Sequence, residues 1–366
     1  MQLKKLSLIN FKNYSNASLE FCGKFNCFVG NNGQGKTNLL DAIHYLAFCK
    51  SFFNPIDSQN ILFDSPFFVV QGEFEKDGHI ENIYCGLKRN EKKQFKKNQK
   101  DYSRLADHIG FIPLVMVSPS DGDLITEGSD IRRKFIDNVI SQYDKQYLEK
   151  LIQYNKVLAQ RNALLKSFFE GRFFDADSLE IWDMQLVPLG EELHKKRKKF
   201  IVDFSPHFQK YYSHISDNKE PIMLEYESQL NEGRPFEEIL KESLPKDRSA
   251  LYTTCGIHKD DLAFTINGYP VKKMASQGQQ KTFLLALKLA KFAFLKKVKK
   301  IQPILLLDDI LDKLDESRVS RLMEIVGSDD FGQIFITDTH PERILNILAG
   351  INVLHKSFQI EKGMVL

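Results

Sequence analysis

Residues 30–37 have the composition and spacing of a phosphate-binding loop. They read Gly30-Asn31-Asn32-Gly33-Gln34-Gly35-Lys36-Thr37 and fit the pattern G-x-x-x-x-G-K-[ST]. Glycines let backbone N–H groups turn inward around phosphate oxygens, and a following helix directs its positive end at the same anion. We expect this loop to bind ATP, with Lys36 neutralising the β- and γ-phosphates and Thr37 ligating Mg²⁺.

A pair of acids ends an apolar run further along the chain. Asp308 and Asp309 follow the segment Ile-Leu-Leu-Leu at 304–307. Such a segment is typical of a buried central strand, and α/β sheets bind ligands at the carboxyl ends of their strands. We expect Asp308 to hold Mg²⁺, directly or through water, and Asp309 to orient and polarise the attacking water. With Lys36 they are the predicted catalytic residues, and Gln34 is a less favoured candidate for positioning the water.

A serine and a glycine lie at the start of a helix that is apolar on nearly every side. The segment reads Ser276-Gln277-Gly278-Gln279-Gln280-Lys281, and the helix is predicted over 278–298. The free N–H groups of this helix end are accessible to a phosphate. Because loop 30–37 already serves its own nucleotide, Ser276 and Gly278 are predicted to contact ATP bound by a second copy. The alternative is a capped core helix, with Ser276 as N-cap and Gln279 completing a capping box.

The elements that position these residues are predicted as strands in the outer thirds of the chain and helices in its middle. Apolar residues recur at helical spacing between about 129 and 250, with few strand signals. The predicted strands are 3–10, 17–29, 67–75, 80–88, 111–117, 303–308 and 333–337, and the first helix is 36–48. We therefore predict an α/β head divided into 1–125 and 251–366, with an inserted helical lobe at 126–250.

The composition is that of an ordinary globular protein. Of 366 residues, 42% are hydrophobic and 27% charged, and the net charge is +3. The five cysteines form no C-x-x-C pair, so neither a zinc site nor a disulfide framework is indicated. No apolar run approaches the roughly 20 residues that a membrane span requires. With no apolar signal-peptide core at the start, a cytoplasmic location is expected.

Local clusters of basic residues are the candidate DNA contacts, because the net charge alone is uninformative. Residues 88–100 contain seven lysines and arginines around Phe95, which suits phosphate contact without base readout. Residues 195–199 and 132–134 are further candidates, although a solvated charged surface explains each of them too. His258, beside two aspartates, is expected to be a hydrogen-bonded structural residue.

Taken together, the motifs resemble the head domains of ABC and SMC ATPases, and most of all the bacterial RecF family of recombination mediators. The phosphate loop, the S-x-G-Q segment, the acid-ended strand and a Leu-Asp loop at Leu314-Asp315 occur in the order that these heads share. The RecF resemblance rests on the blocks at 10–14, 131–137, 160–165, 256–262 and 276–282. It covers nearly the whole chain.

The resemblance implies an ABC-type P-loop ATPase head, with a mixed central sheet and an antiparallel β subdomain, and an inserted helical lobe. It implies an ATP-dependent homodimer that binds duplex or gapped DNA, hydrolyses ATP slowly and acts in replication, repair and the DNA-damage (SOS) response. RecR and RecO are the implied partners, and the recombinase RecA is the implied beneficiary; no membrane is involved. It assigns Lys36 and Thr37 to ATP and Mg²⁺, and Ser276 and Gly278 to the other subunit's γ-phosphate.

Several questions stay open at the level of sequence. The segment Thr337-Asp338-Thr339-His340 follows the last predicted strand, and any of Asp338, Thr339 and His340 is a candidate γ-phosphate sensor. The family's Pro-Glu-Asp is Pro119-Ser120-Asp121 here, and its Gly-Pro-His-Arg is 256–259, Gly-Ile-His-Lys. The rival functions are a transporter ATPase subunit, an assembly protein that uses ATP without hydrolysis, and a short-armed SMC-like chromosome structural protein.

Overall fold

The computed structural model describes residues 1–216, 220–311, 314–351 and 353–366. Its strands are β1 (Gln2–Phe11), β2 (Tyr14–Glu20), β3 (Phe25–Val29), β4 (Phe67–Lys76), β5 (His79–Lys88), β6 (Gln94–Lys97), β7 (Lys100–Asp101), β8 (Leu114–Val117), β9 (Ile222–Glu227), β10 (Asp261–Ile266), β11 (Tyr269–Pro270), β12 (Ile304–Leu307), β13 (Ile334–Asp338), β14 (His355–Glu361) and β15 (Met364–Val365). Its helices are α1 (Lys36–Phe48), α2 (Asp123–Thr126), α3 (Ser129–Ser141), α4 (Lys145–Glu170), α5 (Ala176–Ser216), α6 (Phe236–Ala250), α7 (Val271–Met274), α8 (Gln277–Lys299), α9 (Glu316–Gly327) and α10 (Pro341–Ile351). None of the helices within these ranges combines the length and apolarity needed to cross a bilayer.

One sheet is antiparallel and has the strand order β2-β1-β4-β5-β6-β7. Strands β4 and β5 are joined by Asp77 and Gly78, both with positive φ, which is the geometry of a tight hairpin turn. The hairpin that the Asp-Gly pair predicted is confirmed. Apolar residues alternate along β1, so that Leu6 and Leu8 face the core while their neighbours face outward.

The second sheet is mixed and has the order β15-β14-β3-β13-β12-β8. Its five longer strands are parallel, and only the short β15 runs against its neighbour β14. Strands β3, β12 and β13 are buried at every residue, as expected for central strands with both faces covered. The mixed sheet and the antiparallel β subdomain of the prediction are therefore both present.

The single strand predicted at 17–29 is wrong. The structure divides this segment into β2 and β3, which belong to different sheets, with residues 21–24 turning between them. The side chain of Asn26 stabilises the turn, because it both accepts from the N–H of Cys22 and donates to its carbonyl. The apolar pattern runs through the turn because Phe21 is itself buried, so periodicity alone does not reveal the break.

The chain divides into two compact units. The first, the head unit, comprises Met1–Gly122, Gln277–Leu366 and the end of α5 from Lys210. The second, the helical unit, comprises Asp123–Gln209 and the segment that ends at Ser276; it contains α2 to α4, α6, α7 and the three-stranded sheet β11-β10-β9. The second boundary differs from the sequence prediction, which assigned residues 251–276 to the head. The reason is strand pairing, because β10 pairs with β9 and β11 within the helical unit.

Helix α1 lies in a hydrophobic cluster that contains residues of both sheets of the head unit. Leu39, Leu40 and Ile43 of α1 are fully buried there, together with Phe68 of β4 and Leu306 of β12. Full burial of each such side chain contributes roughly 1.5–3 kcal/mol. Packing on two sides fixes the helix, and with it the loop that precedes it.

Candidate nucleotide-binding site

The loop at 30–37 connects β3 to α1 in the head unit, and its glycines are required by its shape. Gly30, Gly33 and Gly35 have φ values of 146°, 79° and 115°, which side-chain-bearing residues rarely adopt. A Cβ at Gly30 would overlap the carbonyl oxygen of Ile360, and one at Gly35 would overlap the Asn13 amide. Two of the three positions therefore exclude a side chain on steric grounds as well.

The Lys36 ammonium lies against the loop itself. Its Nζ donates to the carbonyl oxygens of Gly30 (2.6 Å) and Asn31 (2.8 Å), and the residue is 8% exposed. Asn31, Asn32 and Gly33, in contrast, form the exposed outer edge of the loop. A positive charge, three glycines and the N-terminus of a thirteen-residue helix thus converge on one point, which is the chemistry of a phosphate site.

Contacts from distant parts of the chain brace the back of the loop. Asn13 donates from Nδ2 to the Gln34 carbonyl oxygen (3.0 Å) and accepts at Oδ1 from Asn38 (2.7 Å). The Tyr14 hydroxyl donates to the carbonyl oxygen of Gly35 (3.1 Å). The sequence identified Asn13 and Tyr14 only as members of the family block at 10–14. Their hydrogen bonds to the phosphate loop were not predicted.

The Gln34 side chain belongs to this bracing. Its Oε1 accepts from the backbone N–H of Lys362 (2.6 Å), and its carbonyl oxygen accepts from Gly363 (3.0 Å). A side chain held by the turn between β14 and β15 has a structural role. This contact makes Gln34 less suited to orienting water, and the role of Asp309 stays a prediction.

Asp308, the first of the two acids, contacts the loop through Thr37. Its hydroxyl donates to Asp308 Oδ1 (2.8 Å), and Asp308 is 3% exposed at the carboxyl end of β12. Burial raises the pKa of Asp308, while hydrogen bonds from Thr37 and Thr337 act in the opposite direction. A hydroxyl and a carboxylate this close are the hard oxygen ligands that Mg²⁺ prefers. Thr37 and Asp308, each predicted as a Mg²⁺ ligand, therefore lie within hydrogen-bonding distance of each other.

No group of three or more histidines, cysteines or acids with metal-binding geometry occurs among the described residues. Mg²⁺ in nucleotide sites usually binds through one or two protein ligands together with substrate phosphates and water. Thr37 and Asp308 are therefore the residues that would hold the ion. Asp309 is the next residue and has a left-handed backbone with φ of 51°.

The serine–glycine segment lies at the start of α8. Ser276 ends the helical unit, while Gly278 is in the first turn of α8 in the head unit. The atoms nearest to a Cβ at Gly278 belong to the Arg318 guanidinium. Arg318 in turn pairs with Asp315, the N-cap of α9 in the predicted Leu-Asp loop. Gly278 and the Leu-Asp loop are thus brought together through an arginine that the sequence analysis did not single out.

The three sensor candidates, at the end of β13 and just after it, have different environments. Asp338 is buried; Arg343 Nη2 donates to both of its carboxylate oxygens (2.7 and 2.8 Å), and the N–H of His340 donates to Oδ1 (2.7 Å). An acid that is held in this way is a structural anchor. His340 is exposed and Thr339 is partly exposed, so these two residues remain the candidates.

The basic segment 88–100 is partly engaged within the head unit. Lys93 pairs with Asp57 and donates to the Cys49 carbonyl oxygen, each at 2.6 Å. Lys97 pairs with Glu81, and Lys88 with Glu91. Lys92 and Lys100 are exposed and pair with no carboxylate in the described part of the chain. The segment therefore offers fewer cations to DNA than its sequence suggests.

The other two basic clusters also contain arginines that are held in ion pairs. In the cluster 195–199 of α5, Arg197 is buried and pairs with Asp137 and Asp260, so it is structural. In the cluster 132–134 of α3, Arg132 pairs bidentately with Asp261 (2.7 and 2.9 Å). These pairs lie within the helical unit, and they remove two arginines from the DNA candidates.

His258 and the cysteines have the expected structural character. His258 Nδ1 lies 2.9 Å from the Tyr154 hydroxyl and Nε2 lies 2.9 Å from the Thr253 carbonyl oxygen. Burial lowers the pKa of His258 to about 4, so the ring is neutral. Burial also raises the pKa values of Cys27 and Cys49 to about 12, which fits unreactive thiols.

Comparison with known proteins gives one consistent group. The family described as "RecF/RecN/SMC N terminal domain" matches residues 2–363. Two curated relatives named "DNA replication and repair protein RecF" are similar over nearly their full lengths. That of Phocaeicola vulgatus is 55% identical, covering 100% of this chain and 98% of its own, and that of Flavobacterium johnsoniae is 53% identical, covering 98% and 100%.

Solved structures agree with these relatives. The recombination mediator protein RecF with ATP, in the RecFOR pathway, superposes with a TM-score of 0.90 at 33% identity, covering 100% of this chain and 96% of its own. An Smc head bound to the C-terminal winged-helix domain of ScpA gives a TM-score of 0.59 at 16% identity, covering 100% and 96%. The second likeness concerns the fold alone.

Proposed function

The chain belongs to the RecF/RecN/SMC N-terminal domain family, with RecF proteins as its full-length relatives, and from this we propose an ATP-dependent DNA-binding protein of replication and recombinational repair. One observation carries the proposal. The phosphate loop and the acid-ended strand are joined by the 2.8 Å hydrogen bond between Thr37 and Asp308. Loop, magnesium ligands and catalytic acid are thus parts of one nucleotide site, and a solved relative holds ATP.

The assignment of residues to ATP follows from the loop geometry. We infer that residues 30–37 surround the phosphates with backbone N–H groups and that Lys36 exchanges its loop carbonyls for phosphate oxygens. Thr37 and Asp308 would hold Mg²⁺, which supplies charge neutralisation at the β- and γ-phosphates. Asp309 would orient the attacking water and accept its proton.

The start of α8 is the part of the chain that we expect to contact a second copy. We propose that Ser276 and Gly278 contact the γ-phosphate of ATP bound by another molecule, so that ATP induces a homodimer. Gly278 lacks a side chain and lies in the first turn of α8, where the helix dipole favours an anion. Hydrolysis removes the γ-phosphate that both subunits contact, and the dimer then dissociates. We expect slow turnover, because the ATP-bound dimer is the DNA-binding state.

The proposed partners follow from the relatives. Solved relatives are described as recombination mediators of the RecFOR pathway. We therefore propose that this chain works with RecO and RecR and helps the recombinase RecA to load on gapped DNA. The SMC-like alternative is less supported, because the Smc heads share only 14–18% identity with this chain.

Sedimentation with ATP, ADP or no nucleotide tests the dimer. We expect the wild type to dimerise only with ATP and Asp309→Asn to accumulate as a dimer. Lys36→Met should bind no nucleotide, whereas Ser276→Arg should bind ATP as a monomer. If Ser276→Arg dimerises normally with ATP, the shared-phosphate mechanism is wrong, although nucleotide binding stands.

ATPase and DNA-binding assays on the same proteins complete the test. Turnover should rise with gapped duplex in the wild type and be lost in Lys36→Met and Asp309→Asn. If all three proteins hydrolyse ATP equally, the site is misassigned. If the wild type binds ATP and DNA but does not hydrolyse the ATP, the nucleotide acts only in assembly of the dimer.

A further inference from the structure

Thr337 is a buried threonine in the last part of β13, directly beside the acid-ended strand. It is 1% exposed, and the preceding residue, Ile336, pairs with Leu307 of β12. The parallel register therefore sets Thr337 next to Asp308 and Asp309. None of the phosphate-loop or signature motifs includes this position.

The Thr337 hydroxyl makes one hydrogen bond to each acid. Its Oγ1 donates to Asp308 Oδ1 (3.0 Å) and accepts from the backbone N–H of Asp309 (2.8 Å). A hydroxyl has one proton and two lone pairs, so its single donor is committed to Asp308. A buried hydroxyl paired in this way has few alternative orientations.

The first bond sets the orientation of the Asp308 carboxylate. Thr37 and Thr337 both donate to the same oxygen, Oδ1, while Oδ2 accepts from no residue in the described ranges. Two donors on one oxygen restrict the rotation of the Asp308 carboxylate about its Cβ–Cγ bond. A carboxylate that lacks one of these donors would sample more than one rotation.

The second bond supports the backbone of Asp309. This residue has φ of 51°, a left-handed backbone that residues with a side chain adopt only at a cost in free energy. Because the Thr337 hydroxyl accepts a hydrogen bond from the Asp309 N–H, it offsets part of this cost. The left-handed backbone in turn sets the direction in which the Asp309 carboxylate leaves the chain.

We propose that Thr337 is a positioning residue that orients both acids of the nucleotide site, Asp308 toward Mg²⁺ and Asp309 toward the attacking water. The proposal rests on the proposed ATPase function and specifies how its site is ordered. Valine has the shape of threonine without the hydroxyl, so Thr337→Val removes both hydrogen bonds while it retains the packing. Thr337→Ser retains the hydroxyl and loses the methyl group.

The test is a Mg²⁺ titration of fluorescent ATP-analogue binding, together with steady-state hydrolysis. We expect all three proteins to bind the analogue equally in EDTA. In Thr337→Val, the Mg²⁺ concentration that produces half of the full change in analogue binding should rise by roughly 10–100-fold, and kcat should fall by a similar factor. The KM for ATP at saturating Mg²⁺ should stay within about threefold of the wild-type value. Thr337→Ser should restore both quantities to near the wild-type values.

Two results would overturn the proposal. One is a Thr337→Val protein whose Mg²⁺ half-effect and kcat match the wild type. The other is a Thr337→Ser protein as impaired as Thr337→Val, since the methyl group and not the hydroxyl would then matter. If Thr337→Val does not fold, Thr337→Ala compared with Thr337→Ser asks the same question. A wild type that binds no nucleotide would instead overturn the proposed function.

Discussion

At the scale of single residues, two buried lysines lie three positions apart on α8. Lys288 and Lys291 are each 6% exposed. Lys288 pairs with Asp121 and donates to the Met116 carbonyl oxygen at 2.9 Å, so it ties α8 to the end of β8. Burial, followed by the charge of Lys288, lowers the pKa of Lys291 to about 7.

Lys291 should therefore make stability depend on pH. Its pKa is about 7 in the folded protein and 10.5 without the fold, so between these values the unfolded chain binds more protons. The free energy of unfolding should rise with pH above 7, by about 2 kcal/mol between pH 7 and 9. Lys291→Met should remove this rise and be more stable than the wild type at pH 7. Denaturant unfolding across this pH range measures the difference.

The exposed Lys297 of the same helix provides the control. Lys297→Met should retain the rise of stability with pH, because Lys297 is exposed and its substitution leaves Lys291 buried. If the free energy of unfolding varies with pH in the same way in the wild type and in Lys291→Met, the Lys291 ammonium is solvated or paired with an opposite charge in the folded protein.

At the scale of elements, each basic segment contains two kinds of cation. Lys93 and Arg197 are drawn into ion pairs beneath the surface, whereas Lys92, Lys100 and Lys198 are exposed. A buried pair contributes to the fold and is expensive to break from one side. An exposed cation contributes to phosphate binding through counterion release. The two roles are separable by substitution.

The exposed lysines of 88–100 should set the salt dependence of DNA binding. Lys92→Gln and Lys100→Gln should each reduce the slope of log affinity against log salt by about one. Lys93→Gln should leave the slope unchanged and lower the melting temperature, since Asp57 loses its partner. Fluorescence anisotropy with duplex DNA between low and moderate salt gives the slopes. Equal slopes for all four proteins would place DNA on another surface.

Arg197 should act on the helical unit in the same structural way. It bonds to Asp137, Asp260 and the Ile257 carbonyl oxygen, so Arg197→Met leaves two carboxylates uncompensated. We expect destabilisation of roughly 3–5 kcal/mol, against less than about 0.5 kcal/mol for the neighbouring Lys198→Gln. Thermal melting followed by circular dichroism compares the two. A stable Arg197→Met protein would contradict the structural assignment of this arginine.

At the scale of the whole molecule, the sequence predicted best what is local. The loop 30–37, the acids after β12 and helix α8 are contiguous motifs, and the structure forms each from neighbouring residues. Thr337 and Asn13 were missed because their contacts join segments far apart in the chain, and spacing carries no signal for such contacts. The pairing of β10 with β9 was missed for the same reason, which displaced the predicted lobe boundary to 250.

ATP and DNA binding should be coupled reciprocally. If ATP raises the affinity for duplex DNA by some factor, DNA must raise the affinity for ATP by the same factor at a fixed protein concentration. We expect a factor of roughly 5–150, measured on Asp309→Asn so that hydrolysis does not intervene. Titrating fluorescent ATP with and without duplex, and labelled duplex with and without ATP, gives both factors. Two independent bindings, each unaffected by the other ligand, would rule out a switch.

The order of strands in the mixed sheet has a consequence for biosynthesis. Strand β3, which leads into the phosphate loop, is paired on its two sides by β13 and β14, both from the last part of the chain. During translation at 5–20 residues per second, β3 waits about 15–60 s for these neighbours. A nascent chain therefore carries an unpaired, predominantly apolar strand through most of its synthesis. We expect ribosome-associated chaperones to engage it, and ATP to become a ligand only when synthesis is nearly complete.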